Sequence, residues 1–444
     1  MAKIYKLYYS FPPVLKNIAA SGISFLKAKQ KYGPIYKKFY NFLLHNNFDT
    51  TVEEELEAFL KHARQYSRFY SDIKANDIND FPVITKQDII VSNYANQVGH
   101  VYKTTYSSGT TGQPFRIPVT KEAYQREYAF WWFHRSFAGL KRGDPVATIA
   151  GHKVADVLRS VPPFWVHNYH ENQLIFSSYH LSPENIPYYI KALNKFKPKL
   201  IHGYPSSIYL LARYALDNNI KFEFIPSMIQ TASETTLDFQ RSVIEQAFQS
   251  KVFIWYGNTE LCGHITECAY GKLHVQERHS FVRILTDKNE DALPGQEGRI
   301  VATNFNNYCF PLINYDTKDV VKIATEQSCR CGQSGLVVER IDGRIEDYII
   351  LPDGRRTGRL DHIFKKAKHV QLAQIEQKSI EEIVIHIKKD EFYNTKDENS
   401  ILDEARNRLG DSINIIISYE SDIFKESNGK FRFIKQHLNT RDLK

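Results

Sequence analysis

Residues 107–114 read Ser-Ser-Gly-Thr-Thr-Gly-Gln-Pro, four hydroxyl side chains and two glycines in eight positions. Such a stretch makes a pliable loop whose hydroxyls and backbone N–H groups can wrap a polyphosphate. The Gly-Lys-[Ser/Thr] ending of a P-loop is missing, so phosphate charge has to be met by a divalent cation or by a lysine from elsewhere in the chain. The cysteines form a second group with chemical potential. All five of them, Cys262, Cys268, Cys309, Cys329 and Cys331, fall in one 70-residue stretch. That crowding is foreign to a disulfide scaffold and suits a metal site in a reducing compartment. Cys268, His274, Cys329 and Cys331 offer three thiolates and an imidazole, the tetrahedral set zinc takes in closed structural sites. Cys262 and His264 are alternative ligands, while Cys309, inside an apolar run, is expected in the core. With no coordination position left open, the metal would stabilise the fold and take no part in chemistry.

Further segments follow in order along the chain. Trp255-Tyr-Gly-Asn-Thr-Glu260 joins a hydroxyl to a carboxylate, and Asn314-Tyr-Asp-Thr-Lys-Asp319 ends on another carboxylate. Gly343-Arg-Ile-Glu-Asp347 is a short charged linker, and Ser427-Asn-Gly-Lys-Phe-Arg432 sets a lysine after an Asn-Gly turn. Together with the hydroxyl-rich loop, this ordered set spans about 330 residues and resembles the adenylate-forming superfamily. Within it, the loop wording SSGTTGQPF, the phrase GRIEDYIILPDGRRTGRLDHIF and the short chain are most similar to the phenylacetate–CoA ligase and CapK-like branch.

The resemblance implies a role for each position. Ser107, Ser108, Gly109, Thr110, Thr111 and Gly112 would form the phosphate-binding loop, and Ser233 and Glu234, in Thr231-Ala-Ser-Glu234, the adenine side. Tyr256 would lie near the adenine, with Gly257 and Asn258 also binding the nucleotide, Thr259 near the α-phosphate and Glu260 on Mg²⁺. A hard cation bridging ATP oxygens needs such a carboxylate. Asp319 would accept both ribose hydroxyl protons, Arg344 would complete that contact, and Glu346 or Asp347 would act as the hinge. Lys430 would reach into the cleft during adenylation, where negative charge accumulates on the phosphoryl oxygens. Catalysis is thus expected from Lys430, Thr259 and Glu260.

The implied activity is ATP-dependent conversion of a carboxylic acid to acyl-AMP, followed by transfer to an acceptor. Coenzyme A is the first acceptor the resemblance suggests, and an amine of a sugar or amino acid in surface-polysaccharide assembly is the alternative. The branch also often carries zinc at its cysteine cluster. Two departures stand out: Phe115 occupies the place where much of the superfamily has a lysine, and Arg432 sits one residue closer to Lys430 than in most relatives.

The 444 residues are 42% hydrophobic and 24% charged, with a mean hydropathy of -0.43. This excludes disorder and fits a large domain with a smaller one. Pro12, Pro13 and Lys16 interrupt any signal-like apolar run, so a cytoplasmic protein is expected. Eight lysines and no acid precede Asp49, which alone accounts for the net charge of +8. A basic surface over the whole molecule, and hence nucleic-acid binding, is not indicated. Leu15, Ile18, Ala19, Ile23 and Leu26 recur at helical spacing among these lysines, predicting an amphipathic helix that packs against the large domain. A membrane surface is its alternative support, and a non-catalytic membrane scaffold the corresponding function.

The elements that must position the site read as α/β layers. Strands are expected at 147–149 and 200–201, with helices at 51–70, 206–216, 237–248 and from Thr120 onward. Tyr124, Tyr128, Phe130, Trp131, Trp132 and Phe133 are expected to serve the core of that last helix, with an acyl pocket as the other use. Beyond Arg344, strands at 382–387 and 413–419 flank a helix at 400–409. The predicted organisation is therefore a large adenylate-forming domain at 1–343 and a small, mobile α+β cap at 344–444.

Overall fold

The computed structural model describes residues 8–74, 77–107, 115–156, 159–344, 348–352, 356–357, 360–364, 367, 369–421 and 431–438. A twelve-stranded sheet organises the larger part of the chain. Its parallel half comprises, in spatial order, Gln173–Ser177, Val146–Ala150, Leu200–Gly203, Met228–Ala232 and Val252–Tyr256. Trp165–Asn168 closes this half as an antiparallel edge strand. Met228–Ala232 is buried along its whole length, as expected of a parallel strand covered on both faces. Helices Ile186–Phe196, Pro205–Asp217 and Asp238–Phe248 supply cover, burying Tyr189, Leu193, Ile208, Leu211, Ile244 and Phe248.

The other half is antiparallel and runs outward through Ile265–Glu267, Leu273–Val275, Val337–Arg344, Tyr315–Ile323, Glu297–Thr303 and Phe281–Leu285. The change of polarity falls on Val252–Tyr256, parallel to Met228–Ala232 on one side and antiparallel to Ile265–Glu267 on the other. Ligands of open α/β sheets bind past the carboxyl ends of strands where the order switches. Ser233 and Glu234 leave the carboxyl end of one strand at this switch, and residues 257–260 leave the carboxyl end of its neighbour.

A separate four-stranded sheet follows, in the order Asn414–Tyr419, Glu382–Lys389, Val370–Ser379, Ile434–Gln436. It packs with helix Thr395–Leu409 around its own core of Ile375, Ile383, Ile385, Ile401 and Leu409. The α/β class and the α+β C-terminal unit are as expected. That helix starts five residues before the expected position 400, because Asn394 caps it: its side chain accepts from Lys396 N, and Asp397 reciprocates. Such caps contribute about 1 kcal/mol, enough to extend a helix by a turn. Helix Val52–Tyr66 likewise carries a capping box between Thr51 and Glu54, and stops short of the expected residue 70.

Pro13–Lys31 forms the expected helix and rests on the large sheet, but through the opposite face. Leu15, Ile18, Ile23 and Leu26 are 47–71% exposed, whereas Lys16 and Ser24 are buried. The edge strand explains the inversion. An edge presents N–H groups that need partners, and Asn17 Oδ1 accepts from His167 N at 2.8 Å while Ser21 Oγ accepts from Tyr169 N at 2.9 Å. The polar face is recruited because it can satisfy these donors and the apolar face cannot.

Candidate active site and cysteine cluster

One cleft of about 850 Å³ lies beyond the strand ends at the polarity switch, roofed by residues 431–434 of the C-terminal unit. Of the residues expected to bind nucleotide or catalyse, it is lined by Ser107, Ser233, Glu234, Tyr256, Gly257, Asn258, Thr259, Glu260, Asp319 and Arg344. Ser108, Gly109, Thr110, Thr111, Gly112, Glu346, Asp347 and Lys430 lie outside the described residues.

Each segment reaches the cleft for a local reason. Ser233 has φ 71°, a left-handed conformation that costs a non-glycine residue about 1–3 kcal/mol and concentrates at functional sites. This turn brings Glu234 between two elements distant in sequence: Oε2 accepts from Ser206 N at 3.2 Å and Oε1 from Phe431 N at 2.7 Å. Glu234 therefore joins the large sheet to the C-terminal unit, and Phe431 immediately follows Lys430 in the chain. At Gly257 a Cβ would lie 3.1 Å from His264 Nδ1, so the loop packs closer to that ring than most side chains would permit. Asn258 lines the cleft and braces its loop with the same side chain. Its Oδ1 accepts from Cys262 N at 2.9 Å and its Nδ2 donates to Cys262 O. These bonds hold the loop that carries Thr259 and Glu260.

Asp319 and Arg344 face each other across neighbouring strands, with Arg344 Nε 3.7 Å from Asp319 Oδ1. Register shifts beside this pair bend the strands locally, a device common next to active sites. The Tyr256 hydroxyl donates to Asp319 Oδ2 at 2.7 Å. Burial raises the Asp319 carboxyl above the usual carboxylate range, although Arg344 pulls the other way. Glu260 is likewise raised by burial; Arg344 and Lys86 oppose the shift, and the Asp319 charge adds to it. Two desolvated carboxyls in one cleft gain from any added cation, since positive charge close by favours the ionised form of each. Oxygen donors of this type fit Mg²⁺ carried in with a polyphosphate.

Lys86 escaped sequence reasoning. It lines the cleft and is a cation of the kind the hydroxyl-rich loop lacks. Thr85 and Asp88 cap its short helix, and Ile84 bridges to the site strand, donating to Asn314 O at 3.0 Å and accepting from Asp316 N at 2.8 Å. The Thr-x-x-Asp cap was legible, but the bridge that carries it to the site was not. The aromatic helix, Lys121–Ser136, divides its roles. Phe130 and Trp132 are buried in the core, as expected. Trp131 and Glu127 line the cleft, where Trp131 leans on Trp255 with ring centroids 4.5 Å apart.

The cysteine cluster lies apart from the lining of this cleft. One ligand atom from each of Cys268, His274, Cys329 and Cys331 lies within 4.8 Å of the others. Cys268 Sγ and Cys329 Sγ are 3.8 Å apart, and Cys331 Sγ is 3.3 Å from His274 Nε2. A tetrahedral zinc with Zn–S bonds of about 2.3 Å sets its sulfurs roughly 3.8 Å apart, so the donor set fits. Cys262 and His264 are outside the group; Cys262 is wholly buried in the main core, and the His264 ring stacks on His279. Cys309 is a core residue, as expected.

The fold is shared with adenylate-forming ligases. The chain superposes on 2-hydroxyisobutyryl-CoA ligase, solved in the postadenylation state with its acyl-AMP, with a TM-score of 0.65 at 15% identity, covering 88% of this chain and 90% of that one. It also matches an anthranilate CoA ligase in complex with anthranoyl-AMP, with a TM-score of 0.52 at 14% identity, over 75% of this chain and 66% of that one. The particular kinship is with CapK. Residues 351–437 match the CapK C-terminal domain, and the chain is 27% identical to Protein CapK of Staphylococcus aureus over 456 residues, 96% of this chain and 98% of that protein. In sequence the chain is similar to CapK, and in fold to adenylate-forming ligases, the two likenesses the motifs implied.

Proposed function

We propose that this protein activates a carboxylic acid with ATP and Mg²⁺ to give acyl-AMP and pyrophosphate, and then passes the acyl group to an acceptor. The observation that carries this reading is the convergence of Glu234, Thr259, Glu260, Asp319 and Arg344 on one cleft closed by residues 431–434. Asp319 accepts from the ribose hydroxyls and Arg344 holds the Asp319 carboxylate in place. Thr259 orients the α-phosphate, and the hydroxyls of residues 107–111 retain the leaving pyrophosphate. Glu260 supplies the carboxylate that holds Mg²⁺, which neutralises phosphate charge when bound. Trp131 and Glu127 border the space for the acid. The C-terminal unit, taken as residues 344–444, then swings about Glu346 and Asp347 to remove Lys430 and admit the nucleophile.

Coenzyme A is the acceptor favoured by the likeness of the fold to CoA ligases. An amine acceptor is favoured by the CapK type of the C-terminal unit, the part that would face the acceptor after rotation. Incubation with a panel of carboxylates, ATP, Mg²⁺ and hydroxylamine traps any acyl-AMP as a hydroxamate whatever the natural acceptor is. At least one acid is expected to give hydroxamate with matching pyrophosphate. A broad panel that yields neither would refute the reading.

Cys268, His274, Cys329 and Cys331 bind one zinc ion that ties the turn before Leu273–Val275 to the loop before Val337–Arg344. Elemental analysis is expected to find about one zinc per chain. Cys331→Ser should release it and cost stability on the order of several kcal/mol, because binding to a structural site is folding free energy. A folded, zinc-free preparation with undiminished thermal stability would remove the metal.

A further inference from the structure

The Pro13–Lys31 helix turns its apolar residues to solvent. Val14, Leu15, Ile18, Phe25 and Leu26 are 47–71% exposed. At about 100° per residue they fall in one arc of roughly 120°, and the 19-residue helix is about 28 Å long. The opposite face is already engaged, since Lys16 and Ser24 are buried on it and Asn17 and Ser21, flanking it, bond to the sheet edge. An apolar stripe so displayed marks an interaction surface.

Charge indicates which kind. Lys27 and Lys29 are exposed on this helix, and Lys37 and Lys38 are exposed on the next one, Pro34–His45. No acid precedes Asp49, so the whole of the net +8 resides in this segment. An apolar groove on a protein partner would need the stripe alone. An anionic bilayer, with phosphates over an acyl layer, takes both the stripe and the exposed lysines of this segment, and Lys29 falls on the stripe's own arc one turn beyond Phe25. Among the described residues no helix is long and apolar enough to cross a membrane, so this one would lie in the interface plane.

We propose that the protein docks on anionic membranes through this helix, its apolar stripe set between headgroups and its lysines on lipid phosphates. The test is co-sedimentation of the full chain with phosphatidylcholine vesicles, with and without about one-third phosphatidylglycerol. Pelleting is expected with the anionic vesicles only. The combined variant Leu15→Ser, Ile18→Ser, Phe25→Ser and Leu26→Ser should bind more than roughly tenfold more weakly. Lys29→Gln should lose roughly fivefold at low salt. Both variants should keep the thermal transition of the parent, since the replaced side chains are exposed. Absence of pelleting by the parent, or equal binding by the serine variant, would overturn the proposal. Self-association without vesicles that the serine variant abolishes would assign the stripe to a second copy instead. A lowered thermal transition in that variant with unchanged binding would likewise overturn it and assign the stripe to packing within the chain.

Discussion

Lys430→Ala is expected to abolish carboxylate-dependent exchange of pyrophosphate into ATP while leaving transfer from supplied acyl-AMP nearly intact. In the first half-reaction a carboxylate oxygen attacks the α-phosphate, and both reactants carry negative charge. A lysine placed at that point lowers the barrier because its charge is already oriented when phosphoryl charge builds up. Loss of one such group typically costs a factor of about 10²–10³. In the second half-reaction the phosphoryl group is already joined to the acid and leaves as AMP, so the same lysine has no charge to neutralise at the attacking atom. The contact between Phe431 N and Glu234 Oε1 ties the C-terminal unit to the cleft lining. Assaying the two half-reactions separately checks the prediction. Equal loss in both would mean that the residue serves folding or closure and has no role in adenylation.

Glu260→Gln is expected to lower the adenylation rate by about 10²-fold and to raise the Mg²⁺ concentration needed for half-maximal rate, since a neutral amide is a poorer ligand for a hard cation. The same change should stabilise the ligand-free protein. Burial raises the Glu260 carboxyl above its ordinary value, so the folded state holds a proton that the unfolded state has already released. Stability then falls as pH rises from the ordinary carboxylate range through the raised value, and stays lowered above it. Gln carries no such penalty. The variant's advantage in melting temperature should be absent in acid, where both states are protonated, should grow as pH rises out of the ordinary carboxylate range, and should be complete above the raised value. Melting curves over a pH series without nucleotide, with a Mg²⁺ titration of activity, test both halves. An unchanged Mg²⁺ requirement would take Glu260 off the metal. A melting advantage that shrinks with rising pH would contradict the burial argument.

These two residues illustrate how unevenly the site is written in the chain. Thr259 and Glu260 follow an apolar strand whose β-branched and aromatic residues are plain in the sequence, and their order after Tyr256-Gly257 is local. Lys86 could not be read that way. It enters the cleft because Ile84 pairs with the strand that carries Asp319, and nothing in residues 84–88 encodes that partner. Asn258 lines the cleft and also fixes its own loop, because a short amide next to a turn readily finds backbone groups.

The chain's own pattern was enough to determine the α/β class, the order of the site segments and the cysteine donors. Each depends on neighbours within a few residues or on side-chain chemistry that does not change with context. Tertiary structure alone decided which face of the Pro13–Lys31 helix is buried, which aromatic of Lys121–Ser136 faces the cleft, and that Glu234 meets Phe431. Those outcomes depend on donors and surfaces supplied by residues more than a hundred positions away. An amphipathic pattern says only that a helix has two unlike faces; the unpaired edge strand chose between them.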